Sequence, residues 1–242
     1  MISLLISHTF KKIPPITRLI LLLIIAVSIS MHELGIDLHE LHFDKYLIFH
    51  EKQYYRLITS IFWIGKLNMF NIMKLFLIFR YSSRLEDDSF RSKSADYFMF
   101  ILIVIALMVT VSFFLPIPFG THCLVSTFIY VWTKRNPKVL VSLLGLVYFK
   151  AEYLPYLFLF VNVILKNNIV FDIFGIVFGH IYFYLYFVVP KLPCTKDVNI
   201  MAAPRFFQKF TDWLGLDSKR ELILEEGDFV DDNDFIPQIN QQ

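Results

Sequence analysis

The chain predicts an all-α membrane protein, a six-transmembrane-helix bundle with cytosolic N- and C-termini. Three observations carry that prediction. Of its 242 residues 56% are hydrophobic and 27 are Phe, whereas ordinary soluble domains hold about 45–50% apolar residues, so much of this surface needs a solvent other than water. The apolar residues fall into runs separated by short charged or proline-containing stretches. Lys and Arg gather in alternate stretches, as they do in cytosolic loops. The net charge of +2 is spread in small groups and makes no nucleic-acid surface, so no nucleic-acid partner is expected. Cys123 and Cys194 have neither metal nor redox spacing, and no metal or cofactor is expected.

A spanning helix needs about 20 mainly apolar residues, because it rises 1.5 Å per residue through a ~30 Å core. Residues 1–16 read as a cytosolic segment and Thr17–Leu34 as the first span, with Leu19–Val27 unbroken. Lys11, Lys12 and Arg18, followed by Ala26-Val27-Ser28, also fit a cleaved signal sequence. Residues 35–56, with His39, His42 and His50, read as a structured interfacial loop; together with His32 these histidines match no standard zinc spacing. Leu57–Phe79 is the second span, interrupted by Lys66, Asn68, Asn71 and Lys74. Polar groups at that depth face the bundle interior or water, or snorkel to the interface.

Tyr81–Asp96 is a charged loop and Tyr97–Leu115 the third span. Two prolines and a glycine in Leu115–Gly120 make a turn. The fourth span, Thr121–Thr133, is short and is closed by Lys134-Arg135-Asn136-Pro137-Lys138. Lys150, Glu152 and Pro155 interrupt the next run, so Tyr153–Leu165 is the fifth span and Val139–Phe149 is buried in protein or lies along the surface. Ile169–Val189 is the sixth span, closed by Pro190. The membrane domain thus covers 17–190, and its two short spans require local thinning of the bilayer or snorkelling.

With the N-terminus inside, the basic groups around Lys11, Arg84, Lys134 and Lys191 all lie in the cytosol, against Lys45, Lys52, Arg56 and Lys166 outside. The tail, 191–242, is then cytosolic. Its segment 204–216 sets Phe206, Phe207, Phe210, Trp213 and Leu214 at helical spacing beside Arg205 and Lys209. That pattern fits either an interfacial amphipathic helix or a satellite helix packed on the bundle. Glu225–Asp234 is an acidic, disorder-prone end.

Several strings, in order, resemble the derlin family: Ile13-Pro14-Pro15-Ile16-Thr17-Arg18, Gln53-Tyr54-Tyr55-Arg56-Leu57-Ile58-Thr59 and Phe79-Arg80-Tyr81-Ser82-Ser83-Arg84-Leu85-Glu86. Ser89-Phe90-Arg91, Ala95-Asp96-Tyr97, Tyr130-Val131-Trp132-Thr133-Lys134-Arg135-Asn136-Pro137 and Gly175–Tyr182 extend the match over roughly residues 10–190. The resemblance implies a rhomboid-like pseudoprotease of the endoplasmic reticulum membrane, multi-pass, with a retained first span. It implies a part in endoplasmic-reticulum-associated degradation, moving misfolded lumenal or membrane proteins to the cytosol. Its implied partners are those substrates, a ubiquitin ligase complex of the same membrane, the lipid bilayer, and a cytosolic AAA ATPase of the valosin-containing protein type. The family's Trp-Arg pair is here Tyr55-Arg56, and its ATPase-binding Phe-x-Gly-x-Gly-x-x-Leu string is missing after Pro190, so contact with the ATPase is expected to be indirect.

The residues expected to meet substrate or the membrane interface are Tyr55, Arg56, Asn68, Asn71 and Lys74; those expected to pack helices are Gly175, Gly179 and His180. No catalytic residue is expected. Rhomboid proteases, which derlins resemble in fold, use a serine in a Gly-x-Ser-Gly turn with a histidine on the sixth span. The matching turn here, Gly120-Thr121-His122-Cys123, has no serine, and Ser126 is placed on a different face from residue 122. The alternative, an intramembrane protease, would pair Cys123 or Ser126 with His180. A transporter is disfavoured because the chain has no evident internal repeat.

Overall fold

The computed structural model describes residues 13–33, 43, 45–65, 68–91, 93–115, 120–143, 147–165, 168–192 and 201–213. The expectations for residues 1–12, His39, His42, Lys66, Cys194, the centre of the Leu115–Gly120 turn and the acidic end Glu225–Asp234 lie outside the described residues.

Helix α1 (Pro15–Glu33) opens on a proline, whose fixed φ and missing N–H suit a first helical position. Ile16, Ile20, Ile24 and Ser28, four residues apart, face the core, while Leu19, Leu22, Ile25 and Ile29 are exposed on the outer side. After the short α2 (Lys45–Phe49), the region expected to be one continuous second span is two helices, α3 (Tyr55–Phe62) and α4 (Met69–Arg84). The sequence carries the reason. Trp63 is extended, with φ −76° and ψ 121°, and Gly65 takes φ +105°, a conformation that a Cβ disfavours. Asn68 then accepts from the Asn71 amide at 2.8 Å and so starts a new helix.

Helix α4 continues through a π-helical turn, Leu85–Ser89, and α5 (Ser94–Ser112) already includes Asp96. Much of the loop expected at Tyr81–Asp96 is therefore helical. Helix α6 (Thr121–Arg135) is the centre of the molecule: every residue from Cys123 to Thr133 is buried. A helix apolar and buried all round sits inside a ring of others, and α8 makes the most extensive contact with it, followed by α4 and α7.

The all-α expectation is corrected at Val139–Phe149. Strands β1 (Leu140–Leu143) and β2 (Val147–Lys150) pair antiparallel, Leu140 opposite Lys150 and Leu143 opposite Val147. Val, Tyr and Phe at alternate faces favour a strand, and Val141 is buried while its neighbour Leu140 and the facing strand's Tyr148 are exposed. The Ala151 amide donates to the Val139 carbonyl at 2.8 Å and closes the hairpin. Then come α7 (Leu154–Ile164), with Pro155 in its first turn, and α8 (Val170–Phe183), which runs on through a π-helical turn, Tyr184–Val188, to a 3-10 turn containing Pro190. The last described element is α9 (Arg205–Trp213).

Among the described residues two stretches are long and apolar enough to cross a bilayer unaided, Ser94–Ser112 and Val170–Lys191; Pro15–Ser30 and Ala151–Ile164 are apolar but shorter. Between the two long ones Phe90 sits fully buried, its ring 5.4 Å from those of Tyr97 and Tyr186 and 5.8 Å from Phe187. This aromatic layer closes one end of the bundle.

Candidate functional site

The central helix α6 positions the polar chemistry. His122, Ser126 and Tyr130 are four residues apart and share one side of it, which corrects the expectation that Ser126 and residue 122 lie on different faces. Each reaches a different neighbour. Lys74 Nζ on α4 lies 2.7 Å from His122 Nε2, Ser126 Oγ donates to Asp172 Oδ1 on α8 at 2.8 Å, and Tyr130 Oη lies 2.8 Å from His180 Nδ1, also on α8. Asn162 Nδ2 on α7 donates to the other oxygen of Asp172 at 3.0 Å. Four helices are thus tied to one another through a cation, an acid and their polar neighbours. Lys74 is 2% exposed and Asp172 0%.

Two glycines make this geometry possible. A Cβ on Gly175 would collide with the Cys123 carbonyl and stand 2.8 Å from Ser126 Cβ; one on Gly179 would press on Tyr130 Cδ1 at 3.1 Å and Thr127 O at 3.3 Å. Small residues one turn apart let two helix backbones approach. At that separation Thr127 Oγ1 donates across to the Gly175 carbonyl at 2.9 Å as well as to Cys123 O in its own helix at 2.8 Å. His180 is exposed and stands beside Tyr130 at the rim, while the glycines lie inside.

The arrangement pairs neither Ser126 nor Cys123 with His180. Ser126 is committed to Asp172, His180 to Tyr130, and Cys123 is buried. His180 is level with Tyr130, one turn beyond Ser126 and about two beyond Cys123. The polar centre can instead hold charge and donate hydrogen bonds inside a protein-lined interior. An ammonium has no lone pair, so a charged Lys74 donates to Nε2 and leaves the proton of His122 on Nδ1; that buried Nδ1 has no hydrogen-bond partner among the described residues.

The expected interface residues are placed unevenly. Lys74 is in the polar centre. Asn68 is exposed and caps α4, while Asn71 is buried against the Gly65 turn. Tyr55 is exposed; Arg56 is buried, its Nε donating to Gln53 Oε1 at 2.6 Å, its guanidinium 5.8 Å from the Tyr55 ring, and its Nη1 without a partner among the described residues. Tyr55 and Arg56 therefore belong to the start of α3 and stand apart from Lys74. Sequence reasoning passed over His122 and Asn162 as site residues, and Asp172 altogether. Its missed signal was a lone acid in an apolar run, which in a membrane segment marks a buried pair or a pathway.

A second polar cluster lies at the other end of α4. Glu86, 0% exposed, accepts from Ile16 N at 3.1 Å, Thr17 N at 2.8 Å and Thr17 Oγ1 at 2.8 Å. Thr17 Oγ1 is also 2.8 Å from Ser82 Oγ, which lies 2.6 Å from Tyr97 Oη. Nearby, Asp96 accepts from Tyr186 Oη at 2.5 Å and from the Ala203 amide at 2.8 Å. The strings Ser82–Glu86 and Ala95-Asp96-Tyr97 thus bind α1, α4, α5, α8 and the tail together.

That same span of the chain, residues 13–204, matches the model of the Der1-like family. The chain belongs to the Der1-like family. Among curated relatives, a probable derlin-2 homolog of Dictyostelium discoideum is 29% identical over 210 residues, covering 84% of this chain and 82% of that protein. Derlin-2.1 of Arabidopsis thaliana is 29% identical over 214 residues, 84% of this chain and 86% of the relative. Derlin-1.1 of Zea mays is 30% identical over 210 residues, 84% and 83%. The protein is therefore a derlin-type membrane protein with a role related to endoplasmic-reticulum-associated degradation.

Proposed function

We propose that this derlin-type chain is a non-catalytic, multi-pass component of the endoplasmic reticulum membrane that binds misfolded lumenal or membrane proteins and assists their passage to the cytosol. The observation that carries the reading is the central helix. At 15 residues α6 is about 22 Å long, short of a ~30 Å hydrocarbon core, and through His122 and Ser126 it meets the buried Lys74 and Asp172. Helix α7 has only 11 residues. Short helices around buried charge favour a thinned, partly hydrated bilayer beside them, which lowers the barrier for a polar chain to cross.

In this reading the membrane domain has six spans with both ends in the cytosol, α3 and α4 forming one broken span, and Tyr55 and Arg56 hold the segment before it at the lumenal interface. A ubiquitin ligase complex of the same membrane and, through it, an AAA ATPase complete the route, since the ATPase-binding string is missing from the tail. The test is a photo-crosslinker at exposed Phe76 on α4, read in microsomes during export of a misfolded reporter, with bilayer thickness measured around the purified protein. Substrate adducts and local thinning are expected; neither adducts nor thinning sinks the proposal. A labelled transmembrane substrate should remain uncleaved by wild type and His180→Ala alike, and His180-dependent cleavage would restore the protease alternative.

A further inference from the structure

Helix α9 leaves the membrane domain at a fixed height. One residue before Pro204, the Ala203 amide is held by Asp96 Oδ1 at 2.8 Å; Phe207 then packs on Phe98 with ring centroids 5.8 Å apart, and Thr211 is buried. Asp96 and Phe98 lie at the start of α5, one of the two stretches able to cross a bilayer unaided. The end of such a helix is where hydrocarbon gives way to headgroups, so α9 is pinned at that level. Its nine described residues span about 13 Å, too short to cross a hydrocarbon core.

Its sides are differently occupied. Phe207 and Thr211, four residues apart, form the docked side. Roughly a third of a turn round the helix, Phe206 and Trp213, seven apart, are 74% and 80% exposed. Beyond them come Arg205 and Lys209, both exposed, with Asp212 farther round still. An exposed Trp and Phe flanked by cations, held at the level of a span's end, match the headgroup layer on both counts: aromatic rings concentrate there, and lipid phosphates supply the complementary charge.

We propose that this side of α9 is a lipid-binding surface, with Phe206 and Trp213 seated at the boundary of headgroups and acyl chains and Arg205 and Lys209 paired with phosphates of anionic lipids. The docked side then sets the orientation and the lipid side the affinity.

The experiment uses full-length protein in bilayers whose acyl chains carry bromine close to the headgroup, made with and without anionic lipid. Trp213 emission is taken as the difference between wild type and Trp213→Phe. A blue-shifted emission that bromine lowers about twofold is expected for a ring at that depth. In anionic bilayers Arg205→Gln with Lys209→Gln should restore part of that emission. Water-like emission that ignores bromine overturns the proposal, as does blue-shifted emission that bromine leaves unchanged, which would mean that protein covers the face. Equal quenching with and without anionic lipid removes the phosphate pairing.

Discussion

Two buried acids, Glu86 and Asp172, are both 0% exposed, yet they do opposite things with their surroundings. Glu86 completes a structure. The first four amides of a helix have no partner inside it; in α1 Pro15 has none to offer, Ile16 and Thr17 donate to Glu86, and Arg18 donates to the Pro14 carbonyl at 2.9 Å. Nothing is left over. Asp172 accepts from Ser126 and Asn162 within a centre in which, among the described residues, His122 Nδ1 is unsatisfied. A closed cluster fixes the fold; an open one keeps polar capacity in reserve. The difference teaches that burial of an acid does not by itself mark function: its unused partners do.

Substitutions can break or sharpen this contrast. Glu86→Ala strands two amides and a hydroxyl at once and should cost about 3 kcal/mol, taking ~1 kcal/mol for each lost bond; Glu86→Gln, which keeps an acceptor, should cost less than half of that. Thermal unfolding followed by size-exclusion in detergent reads both, and equal losses would show that the acid acts by charge alone. Gly175→Val forces α8 away from α6 and should cost about 2–3 kcal/mol, as overpacked cores do, with loss of the Ser126–Asp172 bond visible as a shift of the Asp172 carboxyl stretch in an isotope-edited infrared spectrum.

Smaller effects belong to the open centre. A double-mutant cycle of Ser126→Ala with Asp172→Asn should return a coupling of about 0.6 kcal/mol, the usual size of an interhelical hydrogen bond in membranes; a coupling above 3 kcal/mol would make this cluster as structural as the other. Lys74→Gln with Asp172→Asn, which removes both charges but keeps a donor for His122 and an acceptor at position 172, should cost about 1 kcal/mol, the loss of a single hydrogen bond, while slowing degradation of a misfolded reporter in cells. Unchanged degradation would separate the charged centre from the function proposed for it.

How much of this was legible in the chain depends on the distance between partners. The glycines at 175 and 179 show their spacing within one turn, and Lys74 stands out in an apolar run. The break between α3 and α4 was written in Gly65 and Asn68, but four polar residues in 57–79 drew attention to hydration and away from capping. The hairpin was missed because a short apolar run has no period long enough to tell strand from helix. Glu86 lies 70 residues from the amide of Ile16 that it receives, and Asn162 and Asp172 look like isolated interruptions until α7 and α8 are brought together beside α6. Helical register can be read locally; a partner across the bundle cannot.

The clamp on α1 also orders events in time. A nascent chain inserts α1 long before residue 86 has left the ribosome, so the helix enters the bilayer with its leading amides bare. Its cap must wait for a carboxylate synthesised about seventy residues later, after the α3 residues that pack on it are already made. The closing of the leading turn of α1 is thus a later step than the packing of its body.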